Sequence, residues 1–243
     1  MSPERAPLLA VNRLVKTFGG FRALDGISFA LAPGEVLGLV GPNGSGKTTC
    51  INVIAGLYAP DGGEIRFRGK SSGGMPSHLL ARQGINRTFQ SPHCFLGLTV
   101  YENVAVAARY GNTGKVPPDL DELLASLDLD MVQHRPAGEL NSAQQKQLDL
   151  ARALATGPRL LLVDELAAGL NPRELSRIAD RLRALAEGGM ALLVVEHLLG
   201  FIDRLTDRVI VMNAGKEIFE GKLAAATRDP EVVRVFLGPG HGG

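Results

Sequence analysis

Eight consecutive residues constrain this chain more than any others: Gly41, Pro42, Asn43, Gly44, Ser45, Gly46, Lys47 and Thr48, with Thr49 following. They fit the pattern G-x-x-x-x-G-K-[ST] between an apolar run at 36–40 and a helical pattern that continues through Ile51, Ile54 and Ala55. A strand, a glycine-rich loop and a helix in that order form the context in which the pattern carries chemistry. The three glycines let the backbone wrap closely, so that successive N–H groups can face phosphate oxygens. The helix that follows adds the positive end of its dipole. Lys47 offers a mobile cation to the β- and γ-phosphates, and the Thr48 hydroxyl can ligate Mg²⁺. The expectation is a site for a nucleoside triphosphate, namely ATP with Mg²⁺.

The rest of the chain reads as an α/β protein. Short β-prone runs at 8–16, 26–31, 36–40 and 64–68 are separated by Gly19-Gly20, Pro33-Gly34 and Asp61-Gly62-Gly63, each of which favours a turn. From about 92 to 138 the pattern becomes helical, with stretches at 100–109 and 120–127 joined by a Gly- and Pro-bearing linker at 111–118. The last part alternates again: a helix after Ser142, a strand at 160–163, a helix at 173–186, and strands at 191–195 and 208–212. Leu175, Ile178, Ala179, Leu182, Leu185 and Ala186 keep a helical stripe. Short buried strands alternating with helices predict a parallel α/β core.

Composition narrows the function classes. Lys and Arg total 26 against 25 Asp and Glu, so nothing marks the chain as a nucleic-acid binder. The two cysteines, Cys50 and Cys94, are too few for a disulfide framework and read as reduced thiols. No run approaches the roughly 18–20 apolar residues that span a bilayer, so any membrane role is expected to be exercised from the surface.

Two further strand ends carry candidate chemistry. The run at 159–163 ends in Asp164 and Glu165. Beside a phosphate loop, Asp164 suits the Mg²⁺ shell and Glu165 suits polarisation of the attacking water. His197 follows the apolar run at 190–195 through Glu196. In α/β sheets ligands gather at the carboxyl ends of strands, which predicts that all three ends converge. His78, His93, His134 and His241 have no such context.

In this order the motifs resemble an ABC-type ATPase, the nucleotide-binding subunit of ATP-binding-cassette transporters, over nearly the whole chain. The resemblance implies a P-loop NTPase fold with a mixed core sheet, an N-terminal antiparallel β subdomain and a helical subdomain. It implies one ABC ATPase domain over 1–243, with residues 1–91 and 158–243 as core and residues 92–157 as the helical part. Residues 41–48 match the Walker A loop, 160–164 the Walker B strand, and Glu165 the catalytic base. Gln90, closing Arg87-Thr-Phe-Gln90, matches the Q-loop that touches Mg²⁺ and water and faces the transmembrane subunits. Ala168-Gly-Leu-Asn171 resembles the D-loop and His197 the switch histidine, while Phe18 falls where the family stacks an aromatic ring on adenine.

Several strings look like the ATPases of branched-chain amino-acid importers: Arg87-Thr-Phe-Gln90, Leu98-Thr-Val-Tyr-Glu-Asn103, Ala167-Ala-Gly-Leu-Asn-Pro172, Glu196-His197, and the ending at 232–238. The partners implied are a second ABC ATPase subunit in a homo- or heterodimer, transmembrane permeases and, indirectly, a solute-binding protein. The implied location is cytoplasmic, on the inner face of the membrane. An ATPase of a urea or amide importer and a soluble regulatory ABC protein with impaired hydrolysis stay open as alternatives.

The chain departs from the family at the signature loop, L-S-G-G-Q or a near variant, where it has Leu140-Asn141-Ser142-Ala143-Gln144. In ABC dimers this loop opens a helix whose N-terminus meets the γ-phosphate held by the partner. Asn141 retains an amide donor in place of the serine hydroxyl, but Ala143 puts a Cβ where a glycine is expected. Ser142 and Gln145 have the S-x-x-Q spacing of a capping box, which predicts a helix start there. Leu166 stands where proline commonly follows the glutamate. A nucleotide site built on this chain's own signature loop is therefore expected to turn over slowly, whereas its Walker A side is intact.

Overall fold

The computed structural model describes residues 6–89, 93–111 and 118–237. Its first third holds the strands β1 (Leu9–Phe18), β2 (Phe21–Leu31) and β3 (Val36–Val40), the helix α1 (Lys47–Ile54), then β4 (Gly62–Phe67) and β5 (Lys70–Ser71). Next come α2 (Ser77–Gln83), β6 (Ile85–Arg87), and the helices α3 (Val100–Gly111), α4 (Leu120–Ala125) and α5 (Ser142–Ala155). The remainder alternates: β7 (Leu160–Asp164), α6 (Pro172–Glu187), β8 (Ala191–Val195), α7 (Leu199–Leu205), β9 (Arg208–Asn213) and β10 (Lys216–Gly221). Two short helices, α8 (Leu223–Ala226) and α9 (Pro230–Leu237), follow.

These strands form two sheets. One is four-stranded and antiparallel, in the order β2-β1-β4-β5. Gly19 and Gly20, both at positive φ, turn β1 into β2 in two residues, as such hairpins require. The other is six-stranded, in the order β10-β9-β3-β8-β7-β6. It is parallel from β9 to β6, and β10 is added antiparallel at the edge, so the sheet is mixed.

The continuous apolar runs of β3, β7 and β8 are explained by burial on both faces. Leu37, Leu39, Leu160, Leu162, Leu193 and Val195 face a core shared with the antiparallel sheet and α1. Their neighbours Val36, Val40, Leu161, Val163, Leu192 and Val194 face a second core built with the helices. The six-stranded sheet is thus a septum between two cores, and its strand ends are held from both sides. Among the described residues no helix is long and apolar enough to cross a membrane.

One turn expected from sequence is not a turn. Gly62 and Gly63 lie inside β4, with Gly62 opposite Val15 across a shift in register. Gly63 has φ 81°, and a Cβ there would stand 2.3 Å from the Arg13 carbonyl oxygen. The glycine pair serves close approach of two backbones at a bulge rather than chain reversal.

Candidate functional site

Sheet register brings the predicted residues together. Leu39 pairs with Val195, and Val195 with Asp164, so β3, β8 and β7 end on one row. The next residues along these strands lead into the glycine loop, Glu196-His197 and Glu165.

The loop from Gly41 to Thr48 needs glycine for steric reasons at two positions. Gly41 has φ 148° and Gly46 φ 105°. A Cβ on Gly41 would stand 2.2 Å from the Met212 carbonyl oxygen, and one on Gly46 2.5 Å from that of Ala23. Lys47 is buried, and its Nζ donates to the carbonyls of Gly41 and Pro42, both at 2.9 Å. Burial lowers its pKa, while Glu165 and Asp164 pull it back up. Ser45 is buried, Asn43, Gly44 and Thr48 are exposed, and Thr49 is half-buried. The Thr48 hydroxyl lies on α1, which packs against β7.

Asp164 is 2% exposed. Its backbone N–H donates to Thr88 Oγ1 at 3.2 Å, and its Oδ2 lies 3.3 Å from Arg87 Nη2. The other oxygen, Oδ1, is buried without a hydrogen-bond partner. Burial raises the Asp164 pKa, with the Arg87 guanidinium opposing. A buried carboxylate oxygen lacking a donor fits a divalent cation, as does the exposed Thr48 hydroxyl on the neighbouring helix. Among the described residues no group of three or more His, Cys, Asp or Glu is set to hold a metal alone. A cation here would complete its shell with phosphate and water.

Glu165 has φ 48°, in the left-handed region. Its Oε1 lies 2.9 Å from His197 Nε2, with the imidazole 44% exposed. Two residues from different strand ends thus form one hydrogen-bonded pair. Phe18 is 41% exposed and meets Tyr58 edge-on, with centroids 5.2 Å apart. Gln90 lies outside the described residues.

The helix start near the signature loop differs from the sequence expectation by one residue. The N-cap of α5 is Asn141, not Ser142. Asn141 Oδ1 accepts from Gln144 N at 2.9 Å, and Gln144 Oε1 accepts from Asn141 N at 3.2 Å, completing a capping box. Ser142 is the first helical residue, and Gln145 instead donates to the Leu140 carbonyl through Nε2 at 3.2 Å. The buried Leu140 fixes this frame. Ala143 and Gln144 are half-buried, and Asn141 and Ser142 are exposed.

Sequence reasoning missed the residues that hold this site in place. Arg87 pairs with Asp164 and also donates to Asn52 Oδ1 at 2.5 Å. Asp149 on α5 accepts from Phe89 N at 2.7 Å, joining that helix to the strand that leads to Gln90. Lys146 and Glu196, both buried, bond to the turn after Glu165. A charged residue in a segment of high burial was the available signal, but its partner is set by tertiary structure.

Comparison with known proteins agrees with this geometry. The family profile described as ABC transporter matches residues 24–168, more than half of the chain. The chain is 35% identical to the high-affinity branched-chain amino acid transport ATP-binding protein BraF of Pseudomonas aeruginosa, covering 96% of this chain and 98% of that one. It is 36% identical to a probable branched-chain amino acid transport ATP-binding protein LivG of Archaeoglobus fulgidus, covering 95% of each. Among solved structures, the ADP conformation of an ATP-binding cassette of an ABC transporter superposes with a TM-score of 0.85 at 33% identity, over 96% of this chain and 99% of that one. A dimeric cassette in a post-hydrolysis state, bound to ADP and Pi, gives 0.79 at 25% identity, over 88% and 98%. The chain belongs to the ABC transporter family, as one of its ATP-binding, ATP-hydrolysing subunits.

Proposed function

We propose that this subunit hydrolyses MgATP at a composite site closed by a second ATPase subunit, and that it energises import of a small solute. The observation that carries the reading is the 2.9 Å contact between Glu165 Oε1 and His197 Nε2. It lies on the row of strand ends that leads into the loop bearing Lys47 and ends β7 at Asp164.

The backbone N–H groups of residues 41–48 and Lys47 bind the β- and γ-phosphates. Asp164, Thr48 and Gln90 are the residues that would hold Mg²⁺, whose charge offsets that on the phosphate oxygens. Glu165 accepts a proton from water as the water oxygen bonds to the γ-phosphorus. The bond from that phosphorus to the bridging oxygen breaks, and ADP leaves with the electron pair. His197 orients the Glu165 carboxylate through their hydrogen bond. Phe18 offers an exposed ring for adenine.

Asn141, Ser142, Ala143 and Gln144 would face the nucleotide held by the partner subunit. The dimeric state of a related cassette supports this. Closing the pair excludes water and completes the site. Residues 92–157 would pass that motion to membrane permeases, with the subunit on the cytoplasmic face. The names of the relatives support branched-chain amino acids as cargo, delivered by a solute-binding protein.

Glu165→Gln tests the chemistry. Nucleotide binding should persist while turnover falls by roughly 10²-fold or more, the scale of a lost general base. Unchanged turnover would remove Glu165 from the mechanism. Leucine uptake by the assembled transporter, competed by isoleucine and valine but not by urea, tests the cargo.

A further inference from the structure

The turn that carries Glu165 is clamped by two buried charges that the hydrolytic scheme above does not use. Lys146, in the second turn of α5, donates to the carbonyl oxygens of Glu165 at 3.1 Å, Leu166 at 3.4 Å and Ala168 at 2.5 Å. That engages all three protons of the ammonium. From the other side, Glu196 Oε1 accepts from Ala167 N at 2.6 Å, and Oε2 from His197 N at 3.3 Å. Two backbone bonds add to these: Glu165 N donates to Val195 O at 2.9 Å, and Leu170 N to Ala167 O at 3.2 Å. Every backbone carbonyl from 165 to 168 is therefore bonded, three of them to one side chain.

A left-handed backbone at a non-glycine residue persists only where its surroundings over-determine it. Glu165, with φ 48°, is such a residue. Lys146 and Glu196 supply that determination from two other elements, α5 and the end of β8. Glu196 is also bonded to the backbone of His197, the partner of the Glu165 carboxylate. A lysine on three carbonyls is a point attachment, so a shift of α5 against β7 is transmitted to the peptide of Glu165. The α5 N-terminus is the segment that faces the opposite nucleotide in the dimer.

We propose that Lys146 and Glu196 are positioning residues for hydrolysis: together they hold Glu165 and His197 in register, and they make the placement of Glu165 depend on the seat of the signature helix. This rests on Glu165 acting as the base.

The test measures kcat and KM for ATP, nucleotide affinity and melting temperature of the assembled transporter carrying Lys146→Met, Lys146→Arg, Glu196→Gln or the Met/Gln pair, with Glu165→Gln as reference. Lys146→Met should lower kcat by roughly 10- to 100-fold, the scale for a misplaced catalytic group, while KM and nucleotide affinity stay near wild type. Lys146→Arg should restore most of the loss by keeping charge and donors. The double variant should lose less than the product of the two single losses, because both act on one turn. Wild-type kcat in Lys146→Met while Glu165→Gln is inactive overturns the inference and leaves the base in place. Turnover retained by Glu165→Gln overturns the reading beneath it, and the inference with it. If Lys146→Met does not fold, Glu196→Gln decides: unchanged kcat overturns the clamp, and a fall in kcat at constant KM supports it.

Discussion

Replacing Arg87 by methionine isolates the electrostatic support of Asp164, because the new side chain keeps an apolar stem and removes the guanidinium. In the native site the Arg87 and Asp164 side chains are 9% and 2% exposed and 3.3 Å apart. Removing one member of a buried pair costs about 3–5 kcal/mol. The lower end applies here, because Lys47 remains as a positive neighbour of Asp164. At roughly 2–4 °C per kcal/mol for a chain of this size, the melting temperature should fall by about 6–12 °C. The deficit should depend on pH with a definite sign. Burial raises the Asp164 pKa above its usual 3.8, and Arg87 is the largest influence opposing that rise. Without Arg87 the carboxyl titrates higher still. A carboxyl with a raised folded pKa is unpenalised below its unfolded value and loses stability as pH rises through the folded one. The deficit of Arg87→Met should therefore be widest above the folded pKa of Asp164 and narrow as pH falls through it. As the proposed cation ligand Asp164 would serve only when ionised, so the acid limb of the ATPase profile should move to higher pH. Melts and rates across that transition provide the assay. An equal deficit at every pH together with an unmoved acid limb would refute the electrostatic account and leave Arg87 a packing role.

Gly46→Ala should weaken nucleotide binding by about tenfold or more, since backbone strain of roughly 1–3 kcal/mol adds to a Cβ 2.5 Å from the Ala23 carbonyl oxygen; a titration with unchanged affinity would contradict this. Asn141→Ala should cost about 1 kcal/mol of stability by removing the N-cap, whereas Ser142→Ala should be nearly silent. A larger fall in melting temperature for Ser142→Ala than for Asn141→Ala would return the cap to Ser142. Ala143→Gly should raise the ATPase rate of a homodimer, in which both sites carry the altered signature, with no gain in nucleotide affinity. No change in rate would show that the alanine does not hinder turnover.

The phosphate loop was legible because its chemistry is local: eight neighbouring residues specify both the backbone path and the ligand. The strands β3, β7 and β8 were legible because a septum between two cores makes each an unbroken apolar run. The edge elements were not. β10 pairs on one side only and sets two charged residues beside two apolar ones with no alternation, and β6 is three residues long. Neither presents a period long enough to register. The helix α2 has a single buried residue, Leu80, and so no stripe. Within the site, Glu165 and His197 were readable from their strand ends. The partners Arg87 and Asp164 are separated by 77 residues, and Lys146 reaches acceptors 19 to 22 residues away. Such pairs are fixed by sheet order and helix seating, which spacing along a chain does not encode.

The one-residue shift of the α5 cap alters how the signature departure should be weighed. With Asn141 as N-cap, its Oδ1 is committed to Gln144 N inside the chain. The amide NH₂ is left for a ligand, as a serine hydroxyl would be. The N–H groups of Ser142 and Ala143 belong to the first turn, where no intrahelical acceptor exists. They keep the polarity that favours an anion at a helix start. The departure therefore removes no donor from the N-terminus of α5, and its cost is confined to the volume of one methyl group on Ala143. Three and six residues after Ala143, Lys146 and Asp149 tie the same helix to the turn of Glu165 and to Phe89 N. A methyl that keeps a partner's phosphate at a distance would alter the seat of α5, and through Lys146 the backbone of Glu165. In the proposed dimer the alanine would then act on both nucleotide sites: on one by contact, and on the other through the lysine.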